Sequence, residues 1–262
     1  MWIMREIVLI DADNTLWNTN HVFNEAMMNM LMAMRNEGIN IDLQKDLVTI
    51  QYIDDIYTGR YRIHEYDLRK LVLASLLVFK GLDVGEAIQI ANQPTTIEIE
   101  ENLKIAKRCY SSVYESLKRI PPLYEDTKAA LLFLQRRGDV VILISESNEG
   151  KLYRIIHHYH LEVFFDCIFG NITNLSDFRR AYLKGMKLFY KKYTHDCNKK
   201  TIVIGDSLEK EIFFGNMIGA ITFYKPGDYK PHQKPRNEME TPDYIVKHFP
   251  DIQKIITKCI KD

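Results

Sequence analysis

Three short apolar runs, each ending in polar residues, constrain the fold of this chain most strongly. They read IVLIDAD at 7–13, VVILISES at 140–147 and TIVIGDS at 201–207. None shows the polar–apolar alternation of a half-exposed strand, so each is typical of a parallel strand that is buried on both faces. Ligands bind at the C-terminal edge of such sheets, so the polar residues that end the three runs predict one shared site.

Helical patterns alternate with strand patterns in the later part of the chain. Amphipathic helices are predicted at 125–138, 149–161 and 178–193, and further strands at 166–171 and 220–224. This alternation from residue 119 onward predicts an α/β fold, with a doubly wound and mostly parallel sheet. The proline-rich segment 225–242 is predicted to be a polar loop, either flexible or a surface arm.

Residues 17–118 do not share this alternation, because they carry helical periodicity and little strand signal. A connection of this length far exceeds a usual crossover between strands. It predicts an inserted helical cap domain at 17–118, with the α/β core formed by residues 1–16 and 119–262.

Charge and cysteine usage limit the classes of partner and compartment. The 35 basic and 35 acidic residues balance, so neither nucleic acid nor an anionic membrane is expected as a partner. The apolar stretch 71–79 is too short to span a bilayer, and the opening residues lack the features of a signal peptide. The four cysteines form no CxxC pair, which is typical of free thiols. We therefore expect a cytoplasmic protein. The sequence does not predict its oligomeric state.

Asp11 and Asp13 stand together at the end of the first predicted strand. Such a pair is costly unless a cation neutralises it or a proton is shared, although a polar turn around Asn14 would also explain it. Asp206 and Glu211 follow the third strand and complete an oxygen-rich cluster that is typical of a Mg²⁺ site. One carboxylate beside Mg²⁺ can attack phosphorus, while a second protonates the leaving oxygen and later activates water.

These residues resemble a known family. DADNT at 11–15 matches the DxDxT motif of the haloacid dehalogenase (HAD) superfamily, and GDSLEKE at 205–211 is similar to its acidic fourth motif, with Glu211 in place of an Asp. Ser145 stands where the family has a Ser or Thr, and the helical insertion occupies the position of the family's cap. The whole chain thus resembles the phosphatase branch with a cap between the first and second motifs.

The resemblance implies a role for each matching residue. Asp11 would be the nucleophile that forms an aspartyl-phosphate, and Asp13 the general acid/base. Ser145 would hydrogen-bond the phosphoryl group during transfer. Mg²⁺ would be held by Asp11, the backbone carbonyl of Asp13 and Asp206, with Glu211 orienting its waters. The expected substrate is a small phosphorylated metabolite.

The family's third motif, a Lys that offsets the aspartates, has two candidates here. Arg180 better fits the spacing and Lys184 keeps the residue type. They lie four residues apart on the predicted helix, so both could face the site, and the choice stays open. In the insertion, Arg60 and Arg62 are candidates for contacting an anionic substrate.

Three alternative functions remain for a chain with this pattern. A haloacid dehalogenase would need no metal, and Asp13 and Asp206 argue against it because those enzymes lack the second aspartate and the acidic cluster. A phosphomutase would use the same aspartate to return the phosphoryl group. A non-catalytic binding or regulatory module could retain the fold without turnover.

Overall fold

A computed structural model describes residues 5–58, 67–93, 99–193, 200–227 and 234–259. The chain divides into two compact units. One comprises Met1–Asn20 with Ile120–Asp262, and the other is His21–Arg119. We call them the α/β unit and the helical unit.

The α/β unit is built on one six-stranded parallel sheet. Its strands are β1 (Ile7–Asp11), β2 (Val140–Ile144), β3 (Cys167–Phe169), β4 (Thr201–Gly205), β5 (Ile221–Tyr224) and β6 (Tyr244–Ile245). Their order in the sheet is β3-β2-β1-β4-β5-β6, and each neighbouring pair runs parallel. The three predicted buried strands are therefore neighbours at the centre of the sheet, and every residue of each is buried.

Helices cover both faces of this sheet. They are α6 (Thr127–Arg137), α7 (Glu149–Tyr159), α8 (Leu175–Lys192), α9 (Phe213–Met217) and α10 (Phe249–Cys259). Val8 and Ile10 of β1 pack with α6, α7 and α10, while Ile7 and Leu9 pack with α8 and α9. Successive side chains of a strand point to opposite faces, so a strand covered on both sides must be apolar at every position.

Three short helical turns complete the α/β unit. The 3₁₀ turns are Glu162–Phe164 and Glu238–Glu240, and a π-helical turn occupies Leu208–Ile212 directly before α9. The second 3₁₀ turn is anchored by the side-chain amide of Asn216, which donates hydrogen bonds to the Met239 and Thr241 carbonyls at 2.8 Å each. This part of the predicted proline-rich loop therefore packs on the core.

The described residues of the helical unit form five helices. They are α1 (Thr19–Asn36), α2 (Leu43–Thr58), α3 (Leu68–Phe79), α4 (Val84–Asn92) and α5 (Glu100–Leu117). Every residue of α3 from Leu71 to Leu77 is buried, as expected for a helix surrounded by others. Met27, Met30 and Met34 of α1 are fully buried in the same core.

The predicted α/β fold with a doubly wound parallel sheet and a helical insertion is confirmed. The sequence analysis gave no prediction for the helices α2, α9 and α10 or for the two-residue strand β6. No helix in the described ranges is long and apolar enough to cross a membrane.

Candidate active site

The strand order brings the polar strand ends to one place. Successive connections lead from β1 outward to β2 and β3, then return past β1 to β4, so the order reverses between β1 and β4. Ligands of open α/β sheets bind at the carboxyl ends of the strands beside such a reversal. Asp11 ends β1 and Asp206 follows β4, so these two carboxylates flank this position.

Asp11 is a buried carboxylate with an incomplete hydrogen-bond set. Its side chain is 6 % exposed, and its Oδ2 atom receives no hydrogen bond from any described protein group. Burial raises the pKa of Asp11 well above its usual range, and the carboxylates of Glu211, Asp206 and Asp13 raise it further. A buried acceptor of this kind needs either a proton or a cation.

Asp206 and Glu211 belong to the same repelling group. Burial raises the pKa of Asp206 to about 6, although the Asn14 amide donates to its Oδ2 atom at 3.3 Å. Burial and the neighbouring Asp206 raise the pKa of Glu211 to about 8. The Ser207 amide donates a hydrogen bond to Glu211 Oε2 at 3.2 Å. Three carboxylates with raised pKa values thus lie together at this edge.

The π-helical turn sets the position of Glu211. The Ile212 amide bonds the Ser207 carbonyl five residues earlier at 3.2 Å, which widens the turn and folds Glu211 back over the strand. A Cβ atom at Gly205 would lie 2.3 Å from the Glu211 Cγ atom. The glycine of the GDS sequence is therefore required because the Glu211 side chain packs directly on its backbone.

Asp13 is in a different electrostatic state from its neighbours. Its Oδ1 atom accepts hydrogen bonds from Trp17 Nε1 at 3.1 Å and Thr19 Oγ1 at 2.5 Å. Its Oδ2 atom accepts from the hydroxyls of Ser145 at 2.9 Å and Ser147 at 2.8 Å. Burial alone would raise the pKa of Asp13, but the Lys151 cation and these donors outweigh it and lower the pKa. Asp13 is thus held ionised.

Ser145 reaches the site from the end of β2, as predicted, but its partner is Asp13. It is 2 % exposed, and its Oγ atom also accepts a hydrogen bond from the Ser147 amide at 3.0 Å. Gly170 lets this loop pass closely, because a Cβ there would lie 2.9 Å from the Ser147 carbonyl oxygen. Sequence reasoning missed Ser147, although its place two residues after Ser145 in VVILISES was a usable signal.

The structure does not bring Arg180 and Lys184 to this edge. Both are exposed, and the Arg180 guanidinium pairs with Asp177 at 3.4 Å. Helix α8 buries the face that carries Phe178 and Ala181, and Arg180 and Lys184 fall on the opposite face. The prediction that they could face the site is therefore corrected.

Other lysines supply the positive charge at this edge. Lys151, in the first turn of α7, is the main cation acting on Asp13. Lys210 lies in the π-helical turn, pairs with Glu146 at 2.7 Å and lowers the pKa of both Asp206 and Glu211.

A buried lysine, Lys225, directly follows β5 and was missed because its segment reads as a polar loop. Its place at the C-terminal end of a predicted strand was the signal available. The other cationic candidates, Arg60 and Arg62, lie outside the described residues.

The residues at this edge fit a magnesium ion. Within the described ranges, no group of three or more His, Cys, Asp or Glu side chains forms a ready-made metal site. The predicted ligand set needs only two side-chain carboxylates, because Mg²⁺ is usually bound by one or two and keeps several waters. The bare Oδ2 atom of Asp11 and the raised pKa of Asp206 fit such a cation.

A family model decides the identity of the chain. The model of the haloacid dehalogenase-like hydrolases matches residues 6–219. The chain belongs to this family. The predicted superfamily and the predicted hydrolase class are thereby confirmed.

Individual relatives match over nearly the full length at low identity. A glyceraldehyde 3-phosphate phosphatase of Pyrococcus furiosus is 20% identical, over 97% of this chain and 93% of that protein. A protein of the same name from Methanopyrus kandleri is 24% identical, over 99% of this chain and 100% of its own length.

Solved structures share the fold. A HAD-like family hydrolase from Xanthomonas campestris has a TM-score of 0.60 at 16% identity, covering 97% of this chain and 96% of its own. The HAD-hydrolase YfnB from Bacillus subtilis, a structure described as bound to magnesium, has a TM-score of 0.59 at 14% identity, covering 97% and 99%.

Proposed function

We propose that this HAD-family hydrolase is a Mg²⁺-dependent phosphatase that acts on a small phosphorylated metabolite through an aspartyl-phosphate on Asp11. One observation carries the proposal. Asp11 and Glu211 are buried, Asp206 beside them is half-buried, and the pKa of each of these carboxyls is raised, while Asp11 Oδ2 has no donor among the described residues. Such a group is stabilised by a divalent cation, and the buried, unsatisfied Oδ2 atom of Asp11 supplies an acceptor for that cation or a nucleophile for phosphorus.

In this proposal Asp11, the Asp13 backbone carbonyl and Asp206 hold the ion, and Glu211 orients its waters. Bound there, Mg²⁺ would offset the carboxylates and stabilise negative charge on the phosphoryl oxygens. Glu211 is suited to this outer role because the Ser207 amide and the Gly205 backbone fix its side chain. The longer side chain of Glu, compared with the Asp of the family motif, is accommodated by the missing Cβ at Gly205.

The transfer itself would use Asp11 and Asp13. An Asp11 oxygen forms a bond to phosphorus while the ester P–O bond breaks, and Asp13, which takes up a proton from solvent when the substrate binds, gives this proton to the leaving oxygen. Asp13 then takes a proton from the water that attacks the aspartyl-phosphate, which releases inorganic phosphate and restores Asp11. The Asp13 carboxyl thus alternates between its two protonation states once in each cycle.

The hydrogen bonds of Asp13 indicate how its proton affinity would change. In the free protein, the donors around Asp13 and the Lys151 cation hold it ionised. A serine hydroxyl carries one hydrogen, so Ser145 can donate either to Asp13 or to a phosphoryl oxygen. Donation to the substrate would remove one bond from Asp13 just as a phosphate anion arrives, and both changes raise its pKa.

We further propose that the helical unit is the cap that selects the substrate, with the boundaries predicted near residues 17 and 118. The two curated relatives named as glyceraldehyde 3-phosphate phosphatases make three-carbon phosphate esters the first substrates to test. A cytoplasmic location fits small phosphorylated metabolites.

The test is hydrolysis of p-nitrophenyl phosphate and a panel of three-carbon phosphates, with Mg²⁺ and with EDTA. Asp11→Asn is compared with Asp251→Asn, an acid of α10 that pairs with Lys254 at 3.5 Å. We expect Mg²⁺-dependent phosphate release that Asp11→Asn reduces by a factor on the order of 10³ or more and Asp251→Asn leaves unchanged. Equal activity in the two variants would contradict the assignment of Asp11.

One observation favours a second candidate, a non-catalytic binding module. Neither Arg180 nor Lys184 contributes the family's third-motif charge at this edge. A binding module would show Mg²⁺ binding without phosphate release across the whole panel. Burst analysis of a stoichiometric phosphoryl-enzyme separates it from a slow phosphatase, since a binding module forms none.

A further inference from the structure

Asn14 connects three elements at the C-terminal edge of the sheet. It has a left-handed backbone, with φ of 59°, directly after Asp13. Its amide bonds the Trp17 carbonyl at 2.7 Å, and its Oδ1 atom accepts from the Asn20 amide at 2.9 Å. Its Nδ2 atom donates to Asp206 Oδ2 at 3.3 Å. One side chain thus links the loop after β1 to the carboxylate after β4.

Lys225 reaches the same residue from β5. Its side chain is 4 % exposed, and its ammonium group donates to the Asn14 carbonyl at 3.3 Å. The ammonium lies 3.7 Å from the centre of the Tyr124 ring, a close cation–π contact. Burying a cation is costly, so a lysine in such a place is kept by specific favourable contacts.

The backbone around Lys225 is fixed as well. The Lys225 amide bonds the Gly205 carbonyl at 2.9 Å, which extends the pairing of β5 with β4 up to the residue before Asp206. A Cβ at Gly227 would lie 3.2 Å from the Asn14 Cβ atom, so the segment after Lys225 packs directly on Asn14. The backbone from which the Lys225 side chain reaches Asn14 is therefore fixed by hydrogen bonding and packing.

We propose that Lys225 and Asn14 form a positioning relay for the metal ligand Asp206. Lys225 fixes the Asn14 carbonyl and with it the left-handed turn, and the Asn14 amide fixes the Asp206 carboxylate. Both are positioning residues, since neither contacts the reacting atoms in this scheme. The relay deepens the proposed function and rests on it, because it assigns a purpose to Lys225 through Mg²⁺ at Asp206.

The charge of Lys225 suits this place for a second reason. The Asn14 amide that Lys225 supports contacts the Asp206 carboxylate, which lies beside the carboxylates of Asp11 and Glu211. In the proposed relay, this fixed ammonium would favour the ionised form of Asp206 through the Asn14 turn, which it holds at 3.3 Å. It also stays when the ion and the substrate leave, since it is held by the fold.

The test compares Lys225→Met, Lys225→Arg and Lys192→Met. Methionine keeps an unbranched stem against Tyr124 and removes the donor, whereas arginine keeps a donor. Lys192, a lysine of the α/β unit, is the control. Its ammonium lies 5.7 Å from the centre of the Tyr193 ring and 3.7 Å from the Asp166 carboxylate. The readouts are the Mg²⁺ dissociation constant by calorimetry without substrate, the Mg²⁺ concentration for half-maximal turnover, and kcat at saturating Mg²⁺.

We expect Lys225→Met to weaken Mg²⁺ binding by about 10- to 100-fold, as is typical when a group supporting a metal ligand is lost. Its kcat at saturating Mg²⁺ should stay within about threefold of wild type if the effect passes through the ligand. Lys225→Arg should recover most of the affinity, and Lys192→Met should match wild type. Wild-type Mg²⁺ affinity in a folded Lys225→Met variant would overturn the relay.

Asn14→Gly decides the case if Lys225→Met does not fold. Glycine keeps the left-handed backbone but removes the amide that holds Asp206. The relay requires weaker Mg²⁺ binding in this variant, and unchanged binding overturns it. A wild-type protein that neither binds Mg²⁺ nor releases phosphate would overturn the proposed function itself, which is a different result from a loss confined to the variants.

Discussion

The two edges of the central sheet each carry buried carboxylates, and they differ in what neutralises them. At the N-terminal edge, Glu6 precedes β1 and Asp139 precedes β2, and Arg137 pairs with both at 2.9 Å. The Glu6 amide also donates to Asp139 Oδ1 at 3.0 Å. This cluster is closed by a guanidinium of its own.

At the C-terminal edge, no guanidinium of the described residues pairs with Asp11, Asp206 or Glu211. Asp206 and Glu211 accept hydrogen bonds from neutral amides, and the charge of Lys210 lowers the pKa of both, while Asp11 Oδ2 has no donor among the described residues. Under the proposed function, the same type of side chain would serve two purposes within one sheet. The permanent cation Arg137 makes the N-terminal cluster structural, whereas an exchangeable Mg²⁺ would make the C-terminal cluster available for chemistry.

The largest expected effect comes from removing the permanent cation. Arg137→Met leaves Glu6 and Asp139 buried without it, which we expect to cost about 3–5 kcal/mol of unfolding free energy. Urea unfolding measures the loss, and Arg136→Met, which changes the neighbouring exposed side chain, is the control. Turnover per folded molecule should be unchanged, because the cluster lies at the opposite edge from the candidate site. Wild-type stability in Arg137→Met would contradict the statement that Arg137 stabilises the carboxylates of the N-terminal edge.

The second effect is stabilisation of the C-terminal edge by Mg²⁺. At 100 times its dissociation constant, the ion should add about 2.7 kcal/mol of stability by mass action. In the metal-free protein the pKa of Asp206 is about 6 and that of Glu211 about 8. Binding of Mg²⁺ therefore displaces fewer protons from these two carboxyls at pH 8 than at pH 6. We therefore expect a larger Mg²⁺-induced rise in Tm at pH 8. Asp206→Asn should abolish this rise and Asp139→Asn should not.

A third measurement is the pH dependence of stability that comes from the N-terminal edge. Burial raises the pKa of Glu6 from 4.5 to about 7, against the opposing charge of Arg137, so the native state holds this proton more tightly than the unfolded chain. The stability that this proton contributes is full below pH 4.5 and is lost as the pH rises through 7, which amounts to about 3 kcal/mol. Glu6→Gln should flatten this part of the stability–pH curve. Glu125→Gln, an exposed acid, should leave the curve as it is.

The smallest effect is a gain in stability on removing an acid from the C-terminal edge. Burial and neighbouring carboxylates raise the pKa of Asp11, so its ionised form destabilises the metal-free native state as the pH rises. Asp11→Asn should stabilise the metal-free protein by about 1 kcal/mol at pH 8, and by less at pH 5. Asp139→Asn should instead destabilise it, because Arg137 loses a partner. Destabilisation by both variants would remove the distinction between the two edges.

The sequence predicted the centre of the sheet because burial on both faces leaves a continuous apolar run. β1, β2 and β4 are such strands, and their polar ends meet as expected. Helix α2 was missed because apolar side chains lie on its exposed side, with Val48 63% and Tyr52 57% exposed, which blurs the helical period. β6 has only two residues and carries no pattern of its own.

The position of a candidate site residue was predictable where the residue directly follows a strand. It was less predictable where it depends on which face of a helix is buried or on burial by a distant segment. The buried face of α8 repeats at Phe178, Ala181 and Gly185, and this spacing already turns Arg180 and Lys184 outward. Lys225 sits among polar and proline residues, so composition suggested a surface loop. Its burial depends on Tyr124, which comes from a distant part of the chain.

The contact between Gly205 and Glu211 has a consequence for how this site can change over time. A side chain at 205 would need the space that the Glu211 methylenes fill, since even a Cβ would lie 2.3 Å from Cγ. The two positions therefore form an epistatic pair, in which the tolerance of one depends on the residue at the other. Among descendants of this chain, a residue larger than glycine at 205 should arise only after Glu211 has been replaced by a shorter side chain.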